Sequence, residues 1–86
     1  MKAGRTIVVI EDDTDIFGTI KRGWPDPADT LVHHRCLSSS RALQGPKHDC
    51  VDAFIIDVRL PDGDGLSFAR EMRAVTDAPI IMISGT

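Results

Sequence analysis

The sequence predicts an α/β fold built on a parallel sheet, and three observations predict it. The apolar runs at residues 7–10, 53–56 and 80–83 are short, continuous and bounded by Asp, Pro or Gly, as in strands buried on both faces. Segments with helical spacing lie between these runs. Acidic residues close two of them, which is where open α/β sheets place their ligand sites.

The elements follow in order. Ile7-Val8-Val9-Ile10 forms the first strand. A short helix over 15–22 follows, with Asp13 or Thr14 as N-cap and Ile16 and Ile20 on one face. Gly23-Trp24-Pro25-Asp26-Pro27 ends it, with Trp24 packing this loop. Residues 30–36 form a weaker strand, where Leu31, Val32 and Cys36 mix with His33, His34 and Arg35; that polarity suits a sheet edge. A second short helix over 38–43 is stopped by Gly45-Pro46. The third strand, 53–56, runs into Asp57 and a turn over 58–65. A helix over 66–75 presents Leu66, Ala69, Met72 and Arg73 as its inward stripe, and Pro79 forbids its continuation into the last strand. The order is β-α-β-α-β-α-β with right-handed crossovers.

Composition narrows the function. Eighty-six residues allow one small domain. A net charge of -3, with basic residues scattered and no run longer than Lys21-Arg22, argues against a sequence-independent nucleic-acid surface. No apolar stretch approaches the roughly 20 residues of a membrane span. Cys36 and Cys50 make neither a disulfide framework nor a Cys-x-x-Cys pair, so a cytoplasmic location is expected.

The chemistry concentrates at the strand ends. If the first and third strands are parallel neighbours, Glu11-Asp12-Asp13 and Asp57 bring at least three acids to one sheet edge. Like charges that close require a cation or a proton between them. Oxygen donors without Cys or His favour magnesium. A carboxylate beside such an ion can also attack a phosphoryl group. Ser84, at the end of the last strand beside Gly85, could donate its hydroxyl to a phosphoryl oxygen. Asp13, Asp15, Asp62 and Asp64 read more simply as helix caps and solvated turns.

Other motifs fail on residue type. Gly63-Asp64-Gly65 lacks the third glycine of a dinucleotide fingerprint, since Phe68 stands there. A calcium loop starting at Asp62 would put Leu66 and Arg73 at ligand positions. His33, His34 and His48 have no metal spacing with either cysteine and read as surface or edge residues. Ser38-Ser39-Ser40 reads as a loop with an N-cap.

Three segments resemble the receiver domain of bacterial two-component response regulators. Ile7-Val8-Val9-Ile10-Glu11-Asp12-Asp13 looks like its first strand and acidic pair. Phe54-Ile55-Ile56-Asp57 with Val58-Arg59-Leu60-Pro61-Asp62-Gly63-Asp64-Gly65 looks like its phosphoacceptor strand and loop. Ala78-Pro79-Ile80-Ile81-Met82-Ile83-Ser84-Gly85 looks like its fourth strand and hydroxyl residue. The resemblance implies a flavodoxin-like doubly wound sheet with strand order 2-1-3-4. It implies that Asp57 accepts a phosphoryl group from a cognate histidine kinase. Asp12 and Asp57 would ligate Mg2+, with Glu11 acting mainly through water and the backbone carbonyl of Arg59 completing the ligands. The Ser84 hydroxyl would contact the phosphoryl group. The acidic pair could instead be Asp12-Asp13; Glu11-Asp12 is preferred because it directly follows the fourth apolar residue of the strand.

The departures are as informative. A complete receiver has five β-α units, and residues 1–86 read as one truncated after the fourth strand, lacking the last helix-strand-helix. The family's phosphoryl-contacting lysine and aromatic switch residue lie in that missing part, and Lys2, Lys21 and Lys47 are not placed to substitute. The strand at 80–83 should then be an exposed apolar edge. The expectation is an N-terminal portion of a longer protein, the alternative being a homodimer that covers this edge.

The expected function is that of a phosphoacceptor switch, not an enzyme. DNA would be reached only through an output domain absent from these residues, in a transcription regulator of the winged-helix type. One alternative is a Mg2+-dependent phosphatase of the haloacid dehalogenase type. That class places a second Asp two residues after the nucleophile, where this chain has Arg59. A second alternative is a binding module that is never phosphorylated.

Overall fold

A computed structural model describes residues 4–37 and 50–83. The helix expected over 38–43, His48, Ser84 and Gly85 lie outside the described residues. The elements are β1 (Thr6–Ile10), α1 (Thr14–Gly23), β2 (Thr30–His34), β3 (Ala53–Asp57), β4 (Arg59–Leu60), β5 (Gly63–Asp64), α2 (Gly65–Arg73) and β6 (Ile80–Ile83). Four strands make one parallel sheet in the order β2-β1-β3-β6, the expected order with β6 as its fourth strand.

Each apolar run divides between two cores because successive strand residues face opposite ways. Val8, Ile10, Phe54 and Ile56 face one side, where Phe68 and Met72 of α2 cover them. Ile7, Val9 and Ile55 face the other, covered by Phe17 and Ile20 of α1 and by Trp24. The two helices among the described residues thus lie on opposite faces, the doubly wound arrangement of a flavodoxin-like fold. The edge strands are less buried, as expected: Val32 on β2 is exposed, and Ile81 on β6 is 53% exposed.

Local signals account for the boundaries. Asp13 caps α1, accepting the amides of Asp15 at 2.8 Å and Ile16 at 3.4 Å. Trp24 packs its loop as expected, donating through Nε1 to Asp29 Oδ2 at 2.9 Å, while the Arg5 amide donates to Asp29 Oδ1 at 2.8 Å. Asp64 caps α2 by accepting the Leu66 amide at 2.9 Å. No helix among the described residues is long and apolar enough to cross a membrane.

Three expectations need correction. β2 ends at His34 rather than at 36. The turn after Asp57 contains a small antiparallel ladder, β4 to β5, with Arg59 opposite Asp64 and Leu60 opposite Gly63. The inward stripe of α2 is Gly65, Phe68 and Met72, with Ala69 partly buried; Leu66 is 41% exposed and Arg73 is exposed. A one-residue shift rotates a helix by about 100°. This rotation buries the larger Phe68 in place of Leu66. It also leaves the Arg73 guanidinium to donate to the carbonyls of Thr76 and Ala78 at 2.5 and 2.6 Å.

Candidate metal centre

The register of the sheet assembles the site. Ile10 on β1 pairs with Ile56 on β3, so Glu11 and Asp57 leave adjacent parallel strands side by side. The Glu11 amide donates to the His34 carbonyl at 2.9 Å, carrying the β1–β2 ladder one residue further. On the far side of Asp57, the Val58 amide donates to the Ile83 carbonyl at 3.0 Å. The backbone of both acids is therefore gripped by neighbouring strands.

One carboxylate oxygen from each of Glu11, Asp12 and Asp57 lies within 4.8 Å of the others. Glu11 is 1% exposed and Asp57 6% exposed, while Asp12 faces solvent. Glu11 Oε1 accepts the Asp13 amide at 3.0 Å, but Glu11 Oε2 is buried without a hydrogen-bond partner among the described residues. Asp57 Oδ1 accepts the Arg59 amide at 3.1 Å. Burial first, and then the neighbouring carboxylates of Asp12 and Asp57, push the Glu11 pKa up to about 7; the Asp13 amide opposes the rise.

These features fit a hard cation. Three converging carboxylates, one with an unsatisfied buried oxygen, require either a shared proton or a metal ion. The donors are all oxygen, the set that Mg2+ prefers.

The remaining acids separate cleanly. Asp13 and Asp64 are N-caps, Asp62 Oδ1 accepts the Leu37 amide at 2.8 Å, and Asp15 sits exposed in the first turn of α1. The commitment of Asp13 to α1 makes Glu11 and Asp12, rather than Asp12 and Asp13, the pair that meets Asp57. Arg59 reaches the site through its amide. Ser84 is not described, although Ile83 before it is the register partner of Asp57.

One contributor was missed. His33 lies on edge strand β2, as its polarity suggested, but it is half-buried and donates from Nε2 to the Glu11 carbonyl at 2.6 Å. Its ring stacks on Phe17, with centroids 4.1 Å apart and planes 4° from parallel. The available signal was position: His33 pairs with Val9, near the carboxyl end of the strand that carries the acids.

The sequence and the fold are both similar to those of known proteins. The response regulator receiver domain family matches residues 7–86. The transcriptional regulatory protein KdpE of Staphylococcus aureus is 37% identical over 81 residues, covering 91% of this chain and 33% of that protein. Among solved structures, the phosphorylated cyanobacterial phytochrome response regulator RcpA superposes with a TM-score of 0.78 at 18% identity, covering 98% of this chain and 67% of that one. The activated receiver domain of Klebsiella pneumoniae RstA gives 0.75 at 23% identity, covering 94% of this chain and 68% of that one. The chain spans about a third of the length of the curated relatives it matches. Receivers are signalling switches with an acidic pocket for Mg2+, and this chain belongs to the response regulator receiver domain family.

Proposed function

We propose that Asp57 is the phosphoacceptor of a two-component relay, charged by a histidine kinase at a Mg2+ site formed by Glu11, Asp12, Asp57 and the Arg59 backbone carbonyl. The observation that carries this reading is the convergence of the three carboxylates around an unsatisfied Glu11 oxygen. An Asp57 carboxylate oxygen attacks phosphorus in line, forming an O–P bond as the P–N bond of the donor's phosphohistidine breaks. The electron pair leaves on the imidazole nitrogen, which takes up a proton. When bound, Mg2+ supplies positive charge to the phosphoryl oxygens. The Arg59 amide orients Asp57 through Oδ1, and the family resemblance assigns the Ser84 hydroxyl a role toward the transferred group.

The phosphoryl group adds about -1.5 to -2 charge at the sheet edge, which biases a surface read by a partner or output domain. Relatives named as transcriptional regulators support a DNA-binding output in the intact protein. A haloacid-dehalogenase-type phosphatase is disfavoured by Arg59, which stands where that class needs an acid.

Incubation with acetyl phosphate and MgCl2 tests the assignment. Wild type should acquire a hydroxylamine-labile phosphoryl adduct that EDTA suppresses and Asp57→Asn lacks. Equal labelling of Asp57→Asn would remove Asp57 from the role, and steady turnover of phosphomonoesters would point to the phosphatase.

A further inference from the structure

His33 sits outside the acidic cluster yet touches its backbone at the peptide that joins two of its members. The Glu11 carbonyl belongs to the Glu11–Asp12 peptide, so its direction constrains both ψ of Glu11 and φ of Asp12. A carbonyl can only accept, so the 2.6 Å contact assigns a proton to His33 Nε2.

The ring is itself held. It lies flat on Phe17 of α1, and Phe17 is partly buried against Ile7, Val9 and Ile55. Helix α1 begins at Asp13, whose side chain caps it and whose amide donates to Glu11 Oε1. The contacts therefore close a circuit: Glu11 to Asp13, Asp13 to α1, Phe17 to His33, and His33 back to Glu11. Along this circuit the acid-bearing loop is tied to helix α1 and to edge strand β2. Repulsion among the carboxylates disfavours their convergence when neither a cation nor a proton lies between them. A restraint on the connecting peptide opposes their separation and lowers the reorganisation needed when a cation arrives.

We propose that His33 is a positioning residue for the cation site: its Nε2–H, braced by Phe17, holds the Glu11–Asp12 peptide so that the carboxylates converge before metal binds. This rests on the Mg2+ reading above and adds a residue from outside the ligand set.

The test compares His33→Phe, which keeps an aromatic ring against Phe17 but loses the donor, with His33→Gln, whose amide nitrogen can replace Nε2–H. Calorimetric titration of the full chain with Mg2+ should show His33→Phe binding about tenfold more weakly, in line with the effect of residues that support metal ligands. His33→Gln should recover most of the loss, and the thermal midpoint of His33→Phe should stay near that of wild type. In nitrogen-15 NMR spectra without metal, the Asp12 amide should shift in His33→Phe and return toward its wild-type position in His33→Gln. Unchanged Mg2+ affinity together with an unmoved Asp12 amide in His33→Phe would overturn the proposal. So would an equal loss of affinity in both variants. If wild type bound no Mg2+, the metal reading would fall, and the metal-free Asp12 amide shift would still decide whether His33 positions the loop.

Discussion

Glu11 and Asp57, both buried, bring carboxylate oxygens within 4.8 Å of each other at the ends of two adjacent parallel strands. With no cation bound, burial first and then the neighbouring carboxylates of Asp12 and Asp57 favour a proton on Glu11, raising its pKa from the usual 4.5 to about 7. Between those values the folded chain retains a proton that the unfolded chain has released. The associated stability is fully present below about pH 4.5 and is lost as pH rises through about 7.

The metal-free protein should therefore melt at a lower temperature at about pH 8 than at about pH 6. Only the part of the titration between pH 6 and about 7 falls in this window, so after allowance for solvent screening the difference is at most about 1 kcal/mol, or a few degrees for a domain of this size. Mg2+ should restore the midpoint at the higher pH, and Glu11→Gln should flatten the pH dependence. Thermal unfolding followed by circular dichroism at both pH values, with and without MgCl2, measures all three outcomes.

The rotation of α2 gives a second expectation. Phe68 is fully buried between Phe54, Ile56 and Met72, whereas Leu66 is 41% exposed. Phe68→Ala should lose about 3–5 kcal/mol. Leu66→Ala should cost less than about 1 kcal/mol, as expected for a substitution outside the core. Urea unfolding of the two variants separates them; a larger loss at Leu66 would return the helix to the orientation suggested by its Leu66, Ala69 and Met72 spacing.

Gly65 marks where α2 meets the site strand. Its amide donates to the Val58 carbonyl at 2.8 Å, and a Cβ there would lie 1.8 Å from the Asp57 carbonyl oxygen. Backbone cannot yield as a flexible side chain can, so Gly65→Ala should cost at least about 1–3 kcal/mol. It should also weaken Mg2+ binding, because relieving the clash moves the backbone of Asp57. Chemical denaturation and Mg2+ titration of the same variant test both effects.

At the opposite end of the sheet, Asp29 accepts from the Trp24 indole and the Arg5 amide. Those two donors, Trp24 first, hold its carboxyl below the ordinary range. Its contribution is present above the unfolded carboxyl value of 3.8 and lost as pH falls through the lower folded value. Asp29→Asn should be less stable than wild type near neutrality, and the gap should narrow in acid. Trp24 fluorescence during acid unfolding reports it directly, since the indole is one of the partners.

Much of this was legible in the chain itself. The three apolar runs specified buried parallel strands because no amphipathic alternation interrupts them, and the acids closing two runs marked the functional edge. The polarity of Leu31-Val32-His33-His34 placed β2 at the edge, since such residues avoid a strand flanked on both sides. Asp13 and Pro79 set helix boundaries through chemistry local to the backbone.

What remained illegible depended on contacts distant in sequence. Leu66 and Phe68 both fit a helical stripe, and only packing against the sheet chose between them, placing Phe68 in the core with Phe54 and Ile56. Glu11 and Asp12 differ from Asp13 only once α1 claims Asp13 as its cap. His33 looked like a solvated edge residue because its two partners, Phe17 and the Glu11 carbonyl, are 16 and 22 residues away in sequence. Sequence by itself determined the fold class, the strand order through family resemblance, and which carboxylates to suspect, because periodicity and residue type act locally. Tertiary structure alone decided which oxygen of Glu11 is left unsatisfied and which residue braces the peptide behind it, because burial and convergence exist only after the strands pair.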